Sequence, residues 1–234
     1  MQVDLRRRFA QGLSFDGEFL WMKAIDNNWP SSYTGPVSYL PLETGRSAGT
    51  RKFTFVDRFL WDLPVGRQRS FFAGMNRALD VAVGGWTLAG IFTAQTGYYF
   101  NPTFSNGFAA YGLLGSRPNS VPGARWDQNV PAGSWFNPAA FEAPPQPSGG
   151  QVVLGNAGRN TIPGPGLVNL TLTISKFFTI YENHRIELKA EAYGALNHPN
   201  LSPPSANISV PSTVGRIFSA SGTRSWHFAM RYEF

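Results

Sequence analysis

Glu187 and Glu191 are the nearest approach in this chain to a paired-carboxylate site. Acid–base cleavage of a glycosidic bond needs two carboxyls held across that bond, roughly 5–10 Å apart. Here both carboxylates share one face of an alternating segment with Arg185 and Lys189, and no second segment is identified that brings an acid partner near. His184, His198 and His227 lie far apart and fit no compact metal motif such as HExxH. Cysteine is absent, which removes a disulfide scaffold, a thiol nucleophile and a thiolate zinc site. Gly155-Asn156-Ala157-Gly158 lacks the lysine that a phosphate-cradling loop requires. We therefore expect no catalytic residue, no metal ligand and no cofactor. The chemistry that remains is recognition. The segment 101–166 holds Arg125, Trp126, Trp135 and Phe136 among Pro, Gly and Asn, a composition able to stack on a sugar or another flat ligand. The alternative is that these rings bury one another.

Elements that could position such a segment must be built from unusually little charge. Charged residues are 15% of the 234, against roughly 25% in an average soluble domain. Aromatics also reach 15%, with 25 glycines and 18 prolines, which argues against disorder and for many short strands between turns. The net charge of +6 is scattered, its one run being Arg6-Arg7-Arg8, so no nucleic-acid partner is expected. No run approaches the ~20 apolar residues of a membrane-crossing helix. The first residues carry charge without a following apolar stretch, so no signal peptide is expected here.

The dominant regularity is period two, the mark of a sheet with unlike faces. At the end of the chain Trp226, Phe228, Met230, Tyr232 and Phe234 alternate with Ser225, His227, Ala229, Arg231 and Glu233. Ile186, Leu188, Ala190 and Ala192 alternate with Arg185, Glu187, Lys189 and Glu191. The same reading elsewhere predicts seven strands, at about 2–10, 13–26, 51–63, 84–100, 167–180, 184–197 and 223–234. Proline cannot donate to a ladder, and every proline falls outside these segments. Asp57 breaks its apolar row, implying a bulge that reverses the facing or a misread strand. Arg7 also falls on an apolar row, close enough to a turn for its stem to reach outward.

Connector lengths discriminate between architectures. Tight joins around Gln11-Gly12 and Tyr181-Glu182-Asn183, and a moderate one from Pro64, alternate with long ones at 27–50, 101–166 and 198–222. Loops beyond ~12–15 residues are uncommon in compact domains. Short periplasmic turns alternating with long external loops are usual in outer-membrane barrels. The expected fold is thus all-β, an antiparallel up-and-down transmembrane β-barrel, with apolar rows toward lipid and Arg185, Glu187, Lys189 and Glu191 toward a watery lumen. Trp21, Trp61, Trp86, Tyr98 and Phe100 are expected in interfacial girdles. With short turns inside, the first strand would begin outside. Seven strands so directed do not close alone, so residues 1–234 are expected to be the C-terminal part of a barrel domain. The alternatives are a soluble all-β carbohydrate- or ligand-binding module, or another porin or adhesin.

Tyr232-Glu233-Phe234, preceded by Trp226, Phe228 and Met230 at alternate positions, resembles the terminal signal read by the barrel assembly machinery. Asn156-Ala157-Gly158-Arg159-Asn160, Gly164-Pro165-Gly166, Lys176-Phe177-Phe178 and Ala195-Leu196-Asn197-His198-Pro199-Asn200 together resemble the last part of TonB-dependent receptors of the Oar-like kind. So do Arg8-Phe9-Ala10-Gln11-Gly12-Leu13 and Leu63-Pro64-Val65-Gly66. The resemblance implies a bacterial outer-membrane location, a 22-stranded barrel with an N-terminal plug, and uptake of a scarce solute driven through TonB. It further implies that the plug and its TonB contact lie outside this segment, which would not transport alone.

Overall fold

The computed structural model describes residues 1–27, 41, 44–105, 117–145 and 153–234. Seven long strands form one antiparallel sheet: β1 (Gln2–Ala10), β2 (Leu13–Trp21), β3 (Phe53–Asp62), β4 (Trp86–Gln95), β5 (Leu167–Tyr181), β6 (His184–Tyr193) and β7 (Ser225–Glu233). They pair strictly in chain order, an up-and-down meander. Strands of 9 to 15 residues match the ~9–11 residues that cross a bilayer at a tilt. β1 and β7 are the two edges, each hydrogen-bonded to one neighbour, so the sheet is an open stretch of wall.

Directly opposed residues share a face, so the register tests the alternation across the whole sheet. Trp226 lies opposite Ala192, Ala192 opposite Leu172, and Leu172 opposite Gly90. Gly90 then lies opposite Phe59, Phe59 opposite Phe15, and Phe15 opposite Arg7. This row is therefore apolar through six consecutive strands and meets Arg7 in the seventh, where Val3, Leu5 and Phe9 share the face. Its rows interlock: a side chain at Gly90 would collide with the Phe59 ring and with Leu172. The β2–β3 register runs without interruption from Leu13 opposite Trp61 to Trp21 opposite Phe53. No bulge reverses Asp57, and its strand is where the alternation put it. Its carboxylate stays on the apolar face over Gly17, Oδ1 lying 3.3 Å from where a Cβ would stand. Arg7 also stays on that face, its guanidinium turning to Ala10 O (3.2 Å) and Gln11 Oε1 (3.3 Å) at the turn.

The two ends of the sheet differ. At one, two-residue turns join β1 to β2 and β5 to β6. Gln11 and Gly12 both have positive φ (54° and 79°), the type I′ geometry that follows strand twist. Gly12 approaches β3 closely, with Asp62 N donating to Gly12 O at 2.7 Å. The β3–β4 connector, the moderate one from Pro64, lies at this end. It contains a short helix, α1 (Arg77–Val83), started by Asn76, whose side chain accepts from Leu79 N at 2.9 Å.

At the other end the strands stop earlier than the alternation suggests. Residues 22–26, 96–100 and 194–197 leave the sheet. Ile25–Asp26 pairs with Gly45–Arg46, and Tyr99–Phe100 with Ile162–Pro163. The period continues there while the partner changes. Tyr98 and Phe100 accordingly leave the girdle expected of them. Tyr98 lies under Arg51, whose guanidinium carbon is 3.8 Å from the ring centroid, and Phe100 packs into the loop region.

Candidate functional site: a two-faced wall and its external lobe

The charged row of β6 lies on the face opposite the apolar rows. Arg185 is directly opposite Glu233, and their side chains meet at 2.8 Å. Glu187 is opposite Arg231, and Arg231 reaches Glu233 at 3.5 Å. Lys189 pairs with Glu191 at 2.5 Å, and Glu191 also accepts from the Tyr193 hydroxyl at 3.2 Å. The same face carries Arg6 with Asp16 (3.2 Å) and Thr87 donating to Asp62 (2.8 Å). Glu191 is thus ion-paired along this charged row, and Glu187 stands in register with Arg231 within it. His184 Nδ1 meets the Tyr232 hydroxyl at 2.5 Å, and His227 packs edge-on against Tyr193, so the histidines are distributed along the wall.

The opposite face exposes Trp226, Phe228, Met230 and Tyr232, at 53%, 78%, 74% and 53%. Phe234 follows at 90%. These rings stack along the strand, Trp226 on Phe228 and Tyr232 on Phe234. An open apolar furrow of about 480 Å³ runs between Trp86, Ile174, Leu188, Phe228 and Met230. Side chains of this type, contiguous over so wide a face, are unstable in water and match acyl chains.

Buried core among the described residues lies in the long loops. Phe136, Ala140, Phe141, Ala157, Ile162 and Val214 form one cluster, edged by Phe100, Trp126, Trp135 and Ile208. All three long connectors contribute to the lobe around it. Arg159 ion-pairs with Asp26 of the first, and Asn160 Nδ2 donates to Arg46 O at 2.5 Å. Trp135 N donates to Gly215 O of the third at 2.7 Å. Asn200 Nδ2 donates to Val168 O at 3.1 Å and its Oδ1 accepts from Val168 N at 2.8 Å, tying that loop to β5.

The four loop residues expected to meet a ligand separate on this geometry. Phe136 is fully buried, edge-on to Phe100 and Phe141, and is a core side chain with no surface to offer. Trp135 is half-buried, its indole donating to Pro163 O at 2.7 Å, and Trp126 is half-buried against the same core. Arg125 alone of the four is exposed, forked onto Asp127 with both bonds at 2.9 Å. A cleft that sequence reasoning missed lies where the lobe meets the sheet. It encloses about 360 Å³ between Arg51, Tyr98, Gly164–Leu167, Asn200 and Ser219–Ser221. Its residues come from five separate segments, and no spacing in the chain signals that they converge.

The Arg125–Asp127 pair has a readable titration. The hydrogen bonds from Arg125 hold the Asp127 carboxyl below the usual carboxylate range. A depressed carboxylate contributes above its ordinary pKa and loses that contribution as pH falls through the lowered one. Carbon-13 titration of Asp127 is expected to give a low midpoint that Arg125→Gln returns to the ordinary range. An unchanged midpoint in that variant would show that the fork does not persist in solution.

An antiparallel wall with one face suited to lipid, an ion-paired face behind it, tight turns at one end and a fused lobe at the other defines a class: a transmembrane β-barrel protein of the bacterial outer membrane. The chain belongs to the outer membrane beta barrel domain family, whose model matches residues 1–227. Neither a curated protein nor a solved structure gives a significant match. Membership in this family displaces the alternative of a soluble binding module.

Proposed function

We propose that this chain is barrel wall and external lobe of a TonB-dependent receptor of the Oar-like kind, taking up a scarce solute. The observation that carries this reading is the lobe. Two external loops share one buried core at the end of the wall, and the first is tied to it through Arg159 and Asn160, which suits capture of a ligand better than free passage of small molecules. The motif resemblance along most of the chain points the same way. The cleft beside Arg51 and Tyr98 and the exposed Arg125 are the surfaces best placed to meet a solute, and the ion-paired face lines its path. Plug and TonB contact would come from sequence outside residues 1–234, and no catalytic step is assigned to the chain. In the same reading, the row from Trp226 to Phe234 is the signal grasped by the barrel assembly machinery.

The test is energetic. Loss of the gene is expected to impair growth on one limiting nutrient, and loss of TonB or collapse of the proton gradient is expected to reproduce that defect. Growth on that nutrient that depends on the gene but not on an energised inner membrane would identify a passive pore instead.

A further inference from the structure

Lys176 occupies a place where a charge should not survive. It lies opposite Trp86 on one side and Leu188 on the other, which puts it on the apolar face. That face continues past it to Phe178 and Ile186, so the Lys176 Cα sits about 7 Å inside the margin of the apolar rows, at ~3.3 Å per residue. Yet Lys176 is only 5% exposed. Its cover is the last turn of α1. Nζ donates to Val81 O at 2.6 Å, to Asp80 O at 3.3 Å and to Gly84 O. These carbonyls belong to the last turn and cap of the helix, where Asp80 O also accepts from Gly84 N at 2.9 Å, and the helix dipole favours a cation there. The indole of Trp86 donates to Ala82 O at 3.0 Å, a second tie from the same face. The helix is therefore held on the lipid side of the wall, alongside its last apolar rows.

From that position the connector turns apolar side chains away from the protein. Leu79, Val81 and Val83 are 54%, 54% and 46% exposed, and no residue of α1 is buried. Upstream, Phe71 N donates to Pro64 O at 2.9 Å and Gly66 N to Phe71 O at 3.1 Å, which fixes the loop that presents Phe71 and Phe72. Phe72 is 70% exposed and has φ of 63°. A bulky ring in left-handed backbone is uncommon, and here no internal packing accounts for it. Arg67, Arg69 and Arg77 supply basic charge among these apolar groups. Apolar side chains mixed with Arg, lying flat at a membrane edge, are the composition of interfacial segments.

We infer that residues 64–85 form a lipid-immersed foot, an interfacial segment seated in the phospholipid headgroup region of the inner leaflet, with Lys176 as the strut that clamps it to the wall. The occupant follows from continuity: the exposed groups of the foot extend the face that already meets acyl chains. The inference rests on the membrane placement of the sheet, and the test separates the two.

Because the chain has no cysteine, single nitroxide labels can be placed cleanly. The full chain is to be reconstituted in phosphatidylethanolamine–phosphatidylglycerol vesicles with a label at Phe72→Cys, Val83→Cys, Phe228→Cys or Asn183→Cys. Labels at 72 and 83 are expected to be several-fold more accessible to oxygen than to a polar nickel chelate, as at 228, with the reverse at 183. Polar accessibility at 72 and 83, with 228 still in lipid, would overturn the foot alone. Shielding of 72 and 83 from both reagents would also overturn it, by revealing a protein partner or second copy. Loss of oxygen accessibility at 228 would sink the membrane placement itself. In Lys176→Met the labels at 72 and 83 are expected to gain mobility while 228 does not. An unchanged spectrum would remove the strut.

Discussion

Phe136→Ala is expected to unfold the external lobe while leaving the seven-stranded wall in place. Truncating a fully buried phenylalanine costs ~3–5 kcal/mol through lost burial and the cavity left behind. Six buried side chains form the core of the lobe, so the loss falls on a structure with little else to absorb it. Phe136 touches Phe100 and Phe141 edge-on, so these two further parts of the lobe lose their support. None of these residues belongs to a long strand. Limited proteolysis of the variant should cut within 117–145 and 153–166 at protease levels that leave the parent intact. Heat-modifiable migration in detergent should persist. Equal protease resistance in both proteins would show that the cluster does not hold the lobe.

The second large effect concerns facing. Leu172→Arg is expected to block assembly into membranes, whereas Thr173→Arg, one residue along, is expected to be accepted. Both sit near the centre of β5. Leu172 lies between Gly90 and Ala192 on the apolar face, where an arginine near the midplane costs ~2–4 kcal/mol. Thr173 lies between Ala89 and Glu191 on the other face, where a new guanidinium meets water and a carboxylate. Folded yield in phospholipid vesicles measures both. If the two variants assemble equally, the assignment of faces is wrong.

The wall was legible in the sequence because its cause is local. In a strand each residue's facing follows from its neighbours, so Trp226 to Phe234 and Arg185 to Glu191 declare two faces before any partner is known. The overrun past Trp21, Gln95 and Tyr193 has the same origin. Alternation reports an extended chain, and it cannot tell pairing in the wall from pairing of Tyr99–Phe100 with Ile162–Pro163. The lobe was opaque for the converse reason. Phe136, Ile162 and Val214 meet through irregular backbone, and irregular backbone has no period to read. For Trp126, Trp135 and Phe136 composition left ligand stacking and mutual burial both open, and all three pack into or against the lobe core. The seat of Lys176 was opaque too: an isolated cation in an apolar row makes sense only once the carbonyls of α1 are seen beside it. The Asn76 cap and the Gly84-Gly85 stop were available as signals for that helix.

The shared core of the long loops has a mechanical corollary. Hairpin tips that stood apart could sway independently, and each could answer a visitor on its own. Here Asp26 is joined to Arg159, Arg46 to Asn160, and Trp135 to Gly215, so the described parts of three adjacent connectors are braced against one another. A load placed on one connector is therefore shared with the other two through these bonds.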